Sequence, residues 1–343
     1  MENLCDDVLM EDGRYVPLNE IFFGKSNSLV TIEDLFEKVR ATYSSYNINT
    51  MSDIGLINKV KKDPAFRTIA DLIKRQFNLA NVMVIAVASD AENCYVMKYY
   101  VAQKGDVMQD ISFKDAEKSY VVTNKGLKFK DDEMKPSILI MVTTPLLFNG
   151  KLSPRELVAV ILHEIGHSFS KPVLNKDSFT DRANERFADS FASMYGYSEE
   201  LVSALSKLTY SKRDKSLPLR DVPILNILNG LTAIAGDIYA RKFKGVAHPQ
   251  LEDRQNMILD QLYSDLKNTP DLSDANRKEL LRQIDACKAC MQNNENNNSD
   301  ISNKMYRFYS KNISKYFGSE KRRNNNLIDS DSINNKLINK LKG

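Results

Sequence analysis

Residues 153–168, SPRELVAVILHEIGHS, constrain the fold more than any other stretch of the chain. Ser153 suits the N-cap of a helix, Pro154 its first position, and Glu156 completes a capping box with Ser153. Leu157, Val158, Ile161, Leu162 and Ile165 follow at helical spacing and form a broad apolar face. Within this helix lies His163-Glu164-Ile165-Gly166-His167, an H-E-x-x-H pattern. Four residues apart on a helix, His163 and His167 stand one above the other, so both imidazoles can reach one ion. Glu164 lies about 100° further round, close enough to take a proton from a water activated at the metal. An ordinary buried helix would leave two imidazoles and a carboxylate without partners, which is costly. The chain has only three histidines, and two of them fall in this spacing. The motif therefore predicts a zinc site.

A catalytic zinc usually has three protein ligands and one open position. A third histidine at the H-E-x-x-H-x-x-G-x-x-H spacing is excluded, because Val173 stands there. Glu185, on a helix expected over 181–195, is the best third ligand, with Asp177 and Asp181 as rivals. Asp189 lies one turn beyond Glu185, where it can accept a hydrogen bond from a ligand imidazole and orient the ring. Phe187, Ala188 and Phe191 predict that this helix packs closely against another element.

These residues resemble the gluzincin metallopeptidases, specifically the M48 family, in His163-Glu-Ile-Gly-His167 followed by Glu185-Arg-Phe-Ala-Asp189. Residues 140–147 and 152–162 are similar to that family's edge strand and the lead-in to its active-site helix. His248-Pro249 with Arg254 resembles its later H-P-x-x-x-x-R motif, and the resemblance covers about 82–262. The membrane spans of many members have no counterpart here, and Pro145 stands where the family often has glycine. The resemblance implies a zinc-dependent endopeptidase with His163, His167 and Glu185 on the ion and Glu164 as general base. It implies that His248 lies over the metal and donates to the developing oxyanion, while Arg254 pairs with an acid near the site. The strand Ile138, Leu139, Ile140, Met141, Val142 and Thr143 would hold an extended peptide by main-chain pairing. Two other readings are a regulator-cleaving gluzincin of a different family and a structural or virion-associated protein that keeps zinc without turnover.

The fold class expected is α+β and zincin-like: a small twisted sheet on the active-site helix, a helical N-terminal region and a helical C-terminal half. Three segments are expected: 1–80 as an acidic arm and helical region, 81–291 as the metallopeptidase domain, and 292–343 as a low-complexity tail. Residues 1–30 read as an irregular arm, and Thr31–Tyr46 as a helix with a Thr31/Asp34 capping box. Asp63-Pro64 opens a second helix. Strands are expected at 82–88, 94–102 and 136–147, the last closed by Pro145, with a hairpin around Asn124-Lys125-Gly126. Further helices are expected at 199–208, 222–243, 251–266 and 273–291, and a short docked helix at 305–317.

Composition narrows the setting. With 42% hydrophobic and 27% charged residues, the chain is of globular type. A net charge of +3 gives no strong argument for nucleic acid, although residues 292–343 hold ten basic against five acidic side chains. The four cysteines are too few for a disulfide framework, and the lone Cys287-x-x-Cys290 reads as structural or incidental. The acidic N-terminus lacks a signal-peptide pattern, and no uncharged apolar run reaches the ~20 residues of a membrane span. The expected protein is reduced, soluble and cytoplasmic, or virion-associated if its source is a phage. The sequence leaves its oligomeric state open.

Overall fold

A computed structural model describes residues 7–9, 15–17, 23–44, 58–60, 62–88, 92–99, 120–123, 126–129, 137–169, 178–214, 231, 234, 251–269, 272–297, 305, 308–309 and 312. Helices dominate, and a three-stranded mixed sheet makes the fold α+β. No helix among the described residues is long and apolar enough to cross a membrane.

Residues 7–17, expected to be irregular, contain two short antiparallel strands, β1 (Asp7–Leu9) and β2 (Tyr15–Pro17). Helix α1 (Asn27–Tyr43) starts four residues before its expected start. Its N-cap is Ser26, whose Oγ accepts from the Leu29 amide, while Thr31 Oγ1 donates to the Asn27 carbonyl inside the helix. The Thr31/Asp34 box is therefore not the helix start. Helix α2 (Pro64–Gln76) begins where Asp63-Pro64 predicts, with Asp63 Oδ1 accepting from the Ala65 amide.

The sheet consists of β3 (Asn81–Val87), β4 (Cys94–Tyr99) and β7 (Ser137–Thr143). A separate antiparallel pair, β5 (Tyr120–Thr123) and β6 (Gly126–Phe129), brings Thr123 opposite Gly126, as the hairpin expectation requires. The order of the three-stranded sheet is β3-β7-β4. Ile140 of β7 pairs with Val84 in parallel on one side and with Val96 antiparallel on the other. This corrects the reading of Ile138, Leu139, Ile140, Met141, Val142 and Thr143 as an edge strand for substrate. Both edges of β7 are occupied, so its main chain is committed to neighbours. Its near-continuous apolar run is that of a strand buried on both faces. Among the described residues β4 is an edge, and its Tyr95 and Met97 are exposed.

After Thr143 the chain turns into a short helix, α3 (Thr144–Phe148), with Pro145 in its first turn. Pro145 thus begins a helix as well as ending a strand. The long helices follow: α4 (Pro154–Phe169), α5 (Ser178–Met194), α6 (Ser198–Asp214), α7 (Leu251–Asn268) and α8 (Asp274–Asn297). Helix α8 runs six residues past its expected end. Residues 305, 308, 309 and 312 are helical and Tyr309 is buried, consistent with the docked helix expected there. Most of the 222–243 expectation lies outside the described residues; Leu231 and Ile234 are helical.

One hydrophobic cluster joins these elements, from Leu29, Phe36 and Phe66 through Ile140 and Leu162 to Phe191, Leu262 and Cys287. Helix α4 is buried almost all round. Helix α1, β4, α5 and α6 all touch it, so the H-E-x-x-H segment is held from several sides.

Candidate metal centre

The capping box forms as the sequence predicts: Ser153 Oγ accepts from the Glu156 amide at 3.2 Å, and Glu156 Oε2 accepts from the Ser153 amide at 2.6 Å. Glu156 is buried and also receives Lys207 Nζ at 2.7 Å and Ser203 Oγ. The start of α4 is thereby tied to α6.

Ten residues further on, His163 and His167 turn their rings to one side, with Nε2 atoms 3.0 Å apart. Glu185 on α5 meets both: His163 Nε2 is 3.6 Å from Oε2, and His167 Nε2 is 3.4 Å from Oε1. Among the described residues these three form a group able to hold a metal ion, with ligand atoms within 4.8 Å of one another. Bonds of about 2.0–2.2 Å in a tetrahedral zinc site put ligand atoms roughly 3.3–3.5 Å apart. The observed separations scatter around that spacing. Two imidazole nitrogens and a carboxylate oxygen form a donor set that suits zinc and several other divalent transition metals.

Glycine makes this meeting possible. A Cβ on Gly166 would lie 2.8 Å from Ala188 Cα and 3.0 Å from Phe191 Cβ. The backbones of α4 and α5 therefore touch between the two histidines, next to His167 and about one turn from His163, and Glu185 lies on the same α5 face as Ala188 and Asp189. Phe191 secures the contact by packing on Phe169, Phe77 and Tyr195.

Around the three ligand candidates lies a second ring of polar groups. His163 Nδ1–H donates to Asp189 Oδ1 at 2.9 Å, which leaves the Nε2 lone pair facing Glu185 and His167. Arg254 on α7 grips the same carboxylate through Nη2 to Oδ1 at 2.5 Å and Nε to Oδ2 at 2.9 Å. Its Nη1 also stands 3.3 Å from Glu185 Oε2. Burial opposes charge on Asp189, yet Arg254 and the hydrogen bond from His163 hold its carboxyl below the usual aspartate range. Burial likewise opposes the charge on Arg254, which Asp189 outweighs, so its guanidinium stays charged. Glu164 is half-buried, and burial raises its carboxyl above the ordinary range despite both imidazoles. For His167, burial is overcome by the hydrogen bond and charge of Glu185, and its ring is raised.

The structure thus brings together His163, Glu164, His167, Glu185, Asp189 and Arg254. His248 and Asp177 lie outside the described residues, as does the side chain of Asp181. Three features were not read from the sequence: the close approach at Gly166, the reach of Arg254 to Glu185, and β4 alongside α4. The glycine inside the H-E-x-x-H pattern was the available signal for the first. No protein-family profile, curated protein or solved structure matches the chain.

Proposed function

We propose that the chain is a zinc-dependent endopeptidase of gluzincin type, with the zincin-like fold and the M48 resemblance described above. The observation that carries this reading is the convergence of His163, His167 and Glu185 beside Glu164, with Asp189 orienting His163. A zinc ion held by these three ligands would supply Lewis acidity, polarising the scissile carbonyl and making water a stronger acid. Glu164 takes the proton of the attacking water and delivers it to the leaving amine. Its raised carboxyl suits both halves of that transfer. Asp189 and Arg254 position His163 and Glu185 and are not themselves reacting groups. With the main chain of β7 committed, the edge of β4 (Cys94–Tyr99) takes over the pairing of an extended peptide. His248 retains the proposed role of oxyanion donor.

An open side distinguishes a catalytic zinc site from a structural one. The His167 side chain is 29% exposed, against 9% for His163, so solvent reaches the group from the His167 side. That exposure favours turnover over a closed structural site.

The test is metal analysis together with a broad peptide-library cleavage assay on wild type and Glu164→Gln. We expect one zinc per chain in both proteins and turnover lower by several orders of magnitude in the variant, because Glu164 contacts the water and not the ion. Equal cleavage rates in the two proteins, or a wild type that binds no metal, would refute the reading.

A further inference from the structure

Helix α7 carries Arg254 to the metal centre, and its buried face is unusually polar. Leu251, Ile258 and Leu262 share that face with Gln255, Gln261 and Asp265. Gln255 Nε2 donates to Ser206 Oγ at 2.7 Å, and Gln261 Oε1 accepts from Ser190 Oγ at 2.8 Å. Three turns beyond Arg254, Asp265 is 0% exposed. Its Oδ1 accepts a single hydrogen bond, from Gln261 Nε2 at 3.0 Å, and its Oδ2 has no hydrogen-bond partner.

No cation faces it. On α5, Glu185 and Asp189 are engaged by Arg254 and the histidines. On α6, Glu199 pairs with Arg282, Glu200 with Lys25, and Lys207 with Glu156. On α8, Arg282 also holds Glu279, Lys288 lies over the Tyr263 ring, and the inward Cys287 is a buried thiol. None of these groups forms an ion pair with Asp265 among the described residues. A carboxylate in this position would be a buried charge with one neutral donor, which is far more costly than the neutral acid.

We propose that Asp265 is held as the neutral acid and serves as an alkali-sensitive pin for α7. Loss of its proton to solvent loosens the helix, and with it the Arg254 clamp on Asp189 and Glu185. Burial, only partly offset by the Gln261 hydrogen bond, lifts this carboxyl well above the aspartate range. The folded chain therefore binds one more proton than the unfolded chain between the ordinary aspartate range and the raised one. Stability is full below the ordinary range and is lost as pH rises through that window.

Asp265→Asn keeps an acceptor for Gln261 and cannot ionise. Relative to this variant, the wild-type unfolding constant should rise by up to roughly tenfold per pH unit between about pH 5 and the raised value. At about pH 9 the amides of α7 should exchange faster in wild type than in the variant, with equal protection at about pH 5. Wild type labelled with carbon-13 at aspartate side chains should keep one protonated aspartate carboxyl at neutral pH, a reading that needs no variant. Parallel stability profiles, equal protection at both pH values, or aspartates that are all ionised at neutral pH would overturn the proposal. None of these measurements requires bound metal or turnover, so their failure is distinct from failure of the peptidase reading.

Discussion

His163 depends on what lies behind it. Asp189 accepts its Nδ1–H and is itself gripped by Arg254, so the ring presents Nε2 in one orientation. Asp189→Asn keeps the shape but weakens that orientation, and zinc affinity should fall by about 10- to 100-fold. A competition titration against a chromophoric chelator measures this; unchanged affinity would show that the ring needs no such support. Gly166 acts through absence of a side chain. Gly166→Ala would place a methyl carbon 2.8 Å from the Ala188 backbone, forcing α4 and α5 apart. We expect a stability loss of about 1–3 kcal/mol, measured by urea unfolding, together with weaker zinc binding. Normal zinc affinity in a destabilised variant would separate helix spacing from ligand placement.

Helices and loops deliver these residues, and Arg40 of α1 anchors the loop before α4. Its Nε donates to the Leu147 carbonyl at 2.6 Å and its Nη1 to the Leu152 carbonyl at 2.5 Å. A longer contact of 3.4 Å reaches the Leu146 carbonyl. These groups include the last carbonyls of α3, which a helix end leaves without intrahelical partners. In its half-buried position the guanidinium has its pKa lowered by desolvation, with Glu37 and Glu156 acting in the opposite sense. Arg40→Met keeps much of the packing and removes the donors. Unfolding should become easier by about 1–3 kcal/mol, the usual cost of stranding buried polar groups. Thermal unfolding checks this, and a variant as stable as wild type would show that water replaces the guanidinium.

Across the whole molecule, the candidate metal centre joins helices distant in sequence: α4 supplies two ligand candidates, α5 the third, and α7 the arginine that steadies them. A metal bound only by the folded chain stabilises it through mass action, by about 2.7 kcal/mol at a hundredfold excess over Kd. Zinc should therefore raise the unfolding temperature of wild type and leave His163→Ala unmoved. An equal shift in both proteins would place the stabilising ion elsewhere.

What the sequence determined by itself was local. The His163/His167 pair, the Ser153/Glu156 box and the Asp63-Pro64 helix start depend on contacts within one or two turns, so spacing alone reveals them. Glu185 and Asp189 were legible as one face of a helix with Ala188, because helical period orders them before any partner is known. Sheet order was not legible. Ile138–Val142 is apolar enough for a central strand, but which strand lies outside it depends on pairings with residues about fifty positions away. Tertiary structure alone decided that β7 is central and β4 an edge among the described residues, that Gly166 touches Ala188, and that Arg254 reaches both Asp189 and Glu185. Each of these is a contact between elements, whose energy comes from close approach and charge in a buried setting rather than from the period of any one segment.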